Sequence, residues 1–484
     1  MEDYAAEGRS LAKIDGKVIF IENVVPGDVV DVRLVKNKKD WAEGIVTCFR
    51  EYSKERVEPF CPHFGVCGGC QWQMLPYKRQ LQYKQKQVEE TLKRIGKVVL
   101  PPVFSIIGAE ETKFYRNKLE YTFCTKEFLP REEFEKMQKQ KIFSASEAGV
   151  LMASPEGGDR EGAAGFHAKG VFDKVVDIQT CFLQEEPTNA IRLAIKEFAK
   201  ANGYSFYDIK AHQGFMRTLL LRICSTGEIM VNMILGPDGD PDKDKEKRER
   251  LLDFILEKFP GITTLLYTIN TKWNDSLNDL EPVVYHGKGY VIEKMSTGPG
   301  GEDFQFKIGP KSFFQTNTKQ AERLYRVTSE FAELKGNETV YDLYCGTGSI
   351  GIFLSRQAKK IIGIEMIKAA VADAEENAAL NNLTGLAEFY AGDVTDICND
   401  EFFADHGKPD VIISDPPRAG MHEKLVKKIL DIAAPVVVYV SCNPATQARD
   451  LNGLDEKYSV SKIQPVDMFP HTHHIENVVQ LKLK

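Results

Sequence analysis

Residues 339–365, TVYDLYCGTGSIGIFLSRQAKKIIGIE, decide the fold. A short apolar run leads into a glycine-rich turn, then a stretch with helical spacing, then a second apolar run that ends in an acid. Strand, glycine loop, helix and strand in that order open a doubly wound α/β sheet. The same alternation continues outward: KQAERLYRVTSEFAELK lies before it, and IKAAVADAEENAALN, AEFYA, DVIISD, KLVKKILDIA and PVVVYVS follow. Residues 306–484 are therefore expected to form a Rossmann-like domain with a parallel sheet, whose ligands bind in the loops at the carboxyl ends of the strands.

The rest of the chain reads differently. Residues 10–50 alternate β-branched runs with turns at Asp15-Gly16 and Pro26-Gly27-Asp28, the pattern of a small OB-like β-barrel over 1–59. Residues 60–305 mix strands and helices and are expected to form an α+β central domain. It includes a hairpin in TLLLRICSTGEIMVNMILG (218–236) and a basic helical stretch at 76–97, where seven cations stand against two carboxylates. That stretch is either a solvated helix face or, with Phe114-Tyr115-Arg116-Asn117-Lys118 after it, a surface for nucleic acid. The 484 residues carry 63 Lys and Arg against 70 Asp and Glu, so a uniformly basic nucleic-acid binder is excluded while a local basic face is not. With 43% hydrophobic residues the chain has material for several cores. No apolar run reaches the roughly 20 residues of a membrane span, and the start MEDYAAEGRS is not a basic leader, so a cytoplasmic protein with mostly reduced thiols is expected.

The strand-end loops carry the chemistry. Gly346, Gly348 and Gly351 form G-x-G-x-x-G, and Glu365 ends the next strand, placed to accept from both hydroxyls of a ribose. This spacing fits NAD as well as S-adenosylmethionine. Asp342, inside the strand and suited to a cationic ligand, favours the latter, as does Asp393 in GDV, placed to meet an adenine amino group. Asp415 opens DPPR after the fourth strand. Cys442 follows the run PVVVYVS and precedes Asn443-Pro444, which starts a helix, so its thiolate is expected near a helix N-terminus.

FFQTN (313–317), DLYCGTGSIG, DPPRAG (415–420), SCNPATQARD (441–450) and HTHHIEN (471–477) together resemble the S-adenosylmethionine-dependent RNA uracil-5-methyltransferases. The resemblance implies that Gln315, Tyr344, Glu365 and Asp415 contact the methyl donor or shape its pocket, that Cys442 is the nucleophile and that Glu476 is the base. The chemistry agrees. Carbon 5 of uracil becomes nucleophilic enough to take a methyl group once a thiolate has added to carbon 6, and a carboxylate must then remove the carbon 5 proton. A thiol of ordinary pKa is only a few per cent ionised at pH 7, so Cys442 is expected to be activated by its surroundings. His471, His473 and His474 are not read as a metal site, because adjacent side chains on a strand point to opposite faces.

Cys61, Cys67 and Cys70 supply three soft ligands at close spacing and lack a fourth, which leaves zinc, an iron–sulfur cluster or unligated thiols open. The resemblance, closest to the 23S ribosomal RNA type with a TRAM domain, implies a [4Fe-4S] cluster with Cys181 as fourth ligand, acting as a structural clip. It also implies that the barrel is a TRAM domain. RNA, 23S ribosomal RNA ahead of transfer RNA, is the expected partner, with neither a membrane nor an obligatory protein partner. An NAD-linked oxidoreductase would explain the glycine loop and Glu365 alone. A non-catalytic RNA-binding assembly factor would explain the barrel and the basic helix but not Cys442.

Overall fold

The computed structural model describes residues 1–129 and 161–484, and the part of the central segment at 130–160 lies outside the described residues. The chain forms two compact units, one of Met1–Glu58, Trp72–Tyr115 and Ile292–Lys484, the other of Pro59–Gln71 and Arg116–Val291. Segment 72–115, which boundaries at 59/60 and 305/306 assign to the central domain, thus belongs with the α/β sheet. The reason is burial: Val88 and Leu92 sit in the same apolar cluster as Tyr341, Leu343, Ile362 and Tyr439 of that sheet.

The first unit opens with five strands in the order Asp3–Tyr4, Ser10–Ile14, Lys17–Ile21, Trp41–Glu51, Val29–Asn37. Asp15 and Gly16, with φ of 49° and 79°, make the tight turn that joins the second and third. Ile19, Ile21, Val24 and Ala42 form their small core.

The α/β sheet of the same unit has seven strands in the order Ala387–Ala391, Lys360–Glu365, Thr339–Leu343, Val411–Ser414, Val436–Ser441, Glu476–Leu483, Tyr458–Val466. The first five are parallel, as their apolar runs predict. The last two are not. Glu476–Leu483 runs antiparallel between Val436–Ser441 and Tyr458–Val466, with Ser441 opposite Asn477 and Val466 opposite Glu476. The wholly parallel reading is corrected here, and the correction has a consequence for chemistry: an inverted strand begins at the edge where its parallel neighbour ends, so Glu476 meets Cys442.

The basic stretch at 76–97 is the Tyr77–Thr91 helix and the turn after it, and it is not a free cationic face. Lys84 is wholly buried and paired with Asp467 at 2.6 Å. Arg79 pairs with Glu55, Lys86 with Asp3 and Arg94 with Glu90, leaving Lys78, Lys93 and Lys97. In the following aromatic–basic run Tyr115 and Asn117 are buried, so only part of it faces outward.

The second unit is built on a seven-stranded sheet in the order Val283–Gly287, Thr264–Ile269, Ile229–Leu235, Met216–Ile223, Lys118–Lys126, Glu161–His167, Val175–Asp177. The hairpin expected at 218–236 is present, closed where Cys224 N–H donates to Glu228 O at 2.9 Å.

Candidate active site

Five strands deliver their loops to one edge of the α/β sheet. Tyr344 leaves the first strand with φ of 62°, a conformation that side chains other than glycine rarely adopt, and it swings the chain into the glycine loop. Asp342, one turn back inside the strand, is buried, and its Oδ2 accepts from Gly351 N–H at 2.9 Å. A Cβ on Gly351 would come within 3.0 Å of that oxygen, so only glycine lets the helix approach this closely. The other oxygen, Oδ1, is buried with no partner. Gly346 faces open space, and its N–H donates to Glu365 Oε2 at 3.2 Å, while Glu365 Oε1 accepts from Ile367 N–H at 2.9 Å. Asp393 is exposed; its Oδ1 accepts from Thr395 Oγ1 and from Thr395 N–H, each at 2.7 Å, which holds its pKa down and caps the short Val394–Ile397 helix. Gly348 closes the loop as the N-cap of Ser349–Leu354.

Two features of this pocket were not anticipated. Met366 and Ile367, directly after Glu365, are 65% and 63% exposed, an apolar surface beside a polar one. Phe313, two residues before the half-buried Gln315, is 71% exposed, and its carbonyl accepts from Thr347 Oγ1 of the glycine loop at 3.4 Å.

The fourth and fifth strands bring DPPR and SCNP together. Arg418 O accepts from Asn443 Nδ2 at 3.1 Å and from Thr446 Oγ1 at 3.2 Å. Asn443 caps the Pro444–Leu454 helix, as its Asn-Pro sequence predicts. Around this junction three acids meet, Asp415, Cys442 and the buried Glu476, and Arg418 opposes the charge of the last two. Burial raises both carboxyl groups, Asp415 to about 7, and the charge of Asp415 raises Glu476 further. The Cys442 thiol is pushed up to about 11, first by burial and then by Glu476 and Asp415, with Arg418 opposing. The expected activation of this thiol is therefore corrected: proximity to a helix N-terminus does not outweigh burial and two carboxyl groups. Arg418 also donates to His474 Nδ1 at 2.7 Å. His473 and His474 lie in the loop before the last strand, not on it, and their rings pack 4.2 Å apart, so the argument from alternating strand faces does not apply to them.

S-adenosylmethionine carries a sulfonium and an ammonium. The residues present fit such a cation. Asp342, wholly enclosed, is pushed up to about 7 by burial, and Asp415 and Glu365 repel its charge further; its orphaned Oδ1 is an acceptor waiting for a donor. A dinucleotide pyrophosphate would be repelled by the same acids. The class of protein defined by this sheet and this edge is the S-adenosylmethionine-dependent methyltransferase.

The second unit holds the four predicted metal ligands. Cys61, Cys67, Cys70 and Cys181 form no disulfide; Cys67 lies within electrostatic reach of the other three and Cys181 of Cys61, and burial pushes Cys67 up to about 12. Among the described residues no three His, Cys, Asp or Glu side chains converge on a position for a single metal ion. The surroundings nonetheless suit anionic thiolates. Arg192 is buried beside Cys181 and Tyr121, and its hydrogen bonds go to neutral acceptors: Ala164 O, Ile178 O, Gln179 O and Asn189 Oδ1. The neighbouring carboxylate, Asp177, is engaged by Lys196 at 2.8 Å.

Comparison with known proteins agrees with the class and narrows it. Residues 283–484 match the tRNA (Uracil-5-)-methyltransferase family and residues 2–47 the TRAM domain. The chain is 49% identical to an RNA methyltransferase of Bacteroides thetaiotaomicron, over 99% of this chain and all of that one. It is 37% identical to one of Chlorobaculum tepidum, over 98% and 94%. The crystal structure of Pyrococcus abyssi tRNA (uracil-54, C5)-methyltransferase with S-adenosyl-L-homocysteine superimposes with a TM-score of 0.72 at 27% identity, covering 99% of this chain and 98% of that one. The chain belongs to the RNA uracil-5-methyltransferases, enzymes that take their methyl group from S-adenosylmethionine, and it carries an N-terminal TRAM domain. Among the described residues no helix is long and apolar enough to cross a membrane.

The raised carboxyl groups give a pH test. Asp342, Asp415 and Glu476 bind protons more tightly folded than unfolded, so their contribution to stability falls as pH rises from the ordinary carboxylate range toward 7 and above. A cationic ligand offsets that loss. The rise in melting temperature given by S-adenosylmethionine is expected to grow from pH 5.5 to pH 8, and to grow more than that given by uncharged-sulfur S-adenosylhomocysteine. A rise that is largest at pH 5.5 would contradict the electrostatic account of the pocket.

Proposed function

We propose that this enzyme methylates carbon 5 of a uridine in 23S ribosomal RNA, in the cytoplasm, with Cys442 as nucleophile and Glu476 as base. The observation that carries the reading is the meeting of Cys442, Glu476, Asp415 and Arg418 at the strand edge beside the acid-lined donor pocket. Asp342, Tyr344, Gly346, Gly348, Glu365, Asp393 and Gln315 hold the donor in this reading, with Met366 and Ile367 as the apolar wall against its adenine. S-adenosylmethionine supplies a methyl group on a positively charged sulfur.

Each step then falls to a named group. The target base must leave its stack before carbon 6 can be reached, and exposed Phe313 offers a face for it. Cys442 Sγ adds to carbon 6, and the electron pair displaced onto carbon 5 takes the methyl group. Glu476 removes the carbon 5 proton, and the thiolate leaves as the double bond reforms. Burial and two carboxyl groups favour a neutral thiol against the pull of Arg418; the positive charge of the donor favours a second anion, so Cys442 ionises when the donor is in place.

Transfer RNA is the second reading, favoured by a specific observation. The likeness to the P. abyssi transfer-RNA enzyme runs over nearly the whole of both chains, so a barrel and a central unit do not by themselves separate the two substrates. Mapping 5-methyluridine in RNA from cells with and without the protein distinguishes them: loss from 23S RNA supports the first, loss from transfer RNA alone the second.

For the thiols of the second unit the reading is a [4Fe-4S] cluster held by Cys61, Cys67, Cys70 and Cys181, with zinc as the alternative. Four thiolates around a single zinc at about 2.3 Å must converge on a point, whereas a cluster holds its ligands further apart. Either metal site would tie segment 59–71 to Cys181, and Arg192 would balance its negative charge.

Two outcomes are expected. RNA containing 5-fluorouridine forms a covalent adduct at Cys442 in the presence of the donor, because fluorine cannot be removed as a proton is; RNA binding without adduct would remove Cys442 as nucleophile. Protein purified without oxygen is brown with about four iron atoms per chain, and Cys181→Ala loses the colour; colourless protein with one zinc would establish the alternative.

A further inference from the structure

The loop 467–475 joins the last two strands of the α/β sheet and ends at Glu476. Loops of this length normally leave their carbonyls to water. Here five consecutive carbonyls are each taken by a donor from elsewhere in the same unit. Asp467 O accepts from Gln320 Nε2 at 2.7 Å and Met468 O from Asn317 Nδ2 at 2.9 Å. Phe469 O accepts from Lys84 Nζ at 3.1 Å, Pro470 O from Tyr115 OH at 3.0 Å and His471 O from Trp72 N–H at 3.0 Å.

The Tyr77–Thr91 helix adds side-chain bonds along one face. Lys84 Nζ pairs with Asp467 Oδ1 at 2.6 Å, both side chains wholly buried, and Tyr77 OH donates to Asp467 Oδ2 at 2.9 Å. Gln80 Oε1 accepts from His471 N–H at 2.9 Å, and its Nε2 lies 3.1 Å from His471 Nδ1, on a ring that burial keeps neutral. His471 itself is held at φ of 63°. A buried ion pair is a weak device for stability, since apolar residues of the same size commonly do as well. It is a strong device for fixing one conformation of a loop. The loop fixed here carries His474, the partner of Arg418, and delivers Glu476 opposite Val466 and beside Cys442.

We propose that Gln80, Lys84 and Asp467 are positioning residues that hold Glu476 in register with Cys442, so that the Tyr77–Thr91 helix serves the proton-removal step of the reaction. The proposal rests on Glu476 being the base. Its signature is a defect after adduct formation, because the methyl transfer uses Cys442 and the release uses Glu476.

The test compares Gln80→Met, Lys84→Met, the double variant Lys84→Met/Asp467→Leu and Glu476→Gln as full-length proteins. Each clamp variant is expected to bind S-adenosylmethionine with less than about a twofold change, to trap 5-fluorouridine RNA at a rate near wild type, and to lose about tenfold or more in kcat while adduct accumulates on ordinary RNA, as displacing a catalytic group by an ångström can do. The double variant removes the stranded carboxylate and is expected to regain thermal stability without regaining turnover. Recovery of turnover with stability, or normal release in folded Gln80→Met, would overturn the proposal while adduct accumulation in Glu476→Gln keeps the base assignment. Absence of adduct in Glu476→Gln would overturn both, a pattern distinct from the first.

Discussion

Three acids gathered at one strand edge are the constraint on which this site turns. Asp415, Cys442 and Glu476 come from the ends of three different strands, and the Arg418 guanidinium faces Cys442 and Glu476. In a parallel sheet alone only two of those acids would reach the edge. The antiparallel strand Glu476–Leu483 supplies the third, because its first residue lies where its neighbour's last one does. The cost of gathering acids in a desolvated place is visible in their raised proton affinities, and it is a cost that a positively charged methyl donor relieves. In the proposed reaction donor recognition and thiol activation are one electrostatic event.

The parts of the fold legible in the sequence were those with a local signature. The glycine loop, the acid that ends the second strand, and the Asn-Pro helix start each declare themselves within a few residues, and all three are where the pattern predicts. What escaped was long-range. The inverted last strand reads as an ordinary apolar run, since periodicity carries no information on direction. Lys84 reads as one more solvated lysine; its partner Asp467 is 383 positions away. Cys442 beside a helix start suggests a thiolate, and only the structure reveals the two carboxyl groups that oppose it. The exposure of Phe313, Met366 and Ile367 is likewise a property of the fold and not of their neighbours in sequence.

The basic helix illustrates how a net charge misleads. Four of its cations are spent inside the first unit, one of them wholly buried, so its composition reflects intramolecular pairing as much as any RNA surface. The TRAM domain and the family membership carry the RNA assignment in its place. In the second unit a buried Arg192 with neutral hydrogen-bond partners is the cation that would balance thiolates in the proposed metal site.

The electrostatic coupling of donor and thiol is most directly measured at Cys442 itself. The rate of its alkylation by iodoacetamide, followed at that residue by mass spectrometry across pH, reports the thiol pKa in the free enzyme, with S-adenosylhomocysteine, and with sinefungin, which places an amine where the donor has its sulfonium. The account predicts a value near 11 in the free enzyme, little changed by the neutral thioether and clearly lowered by the cationic analogue. The same pKa in all three states would contradict it.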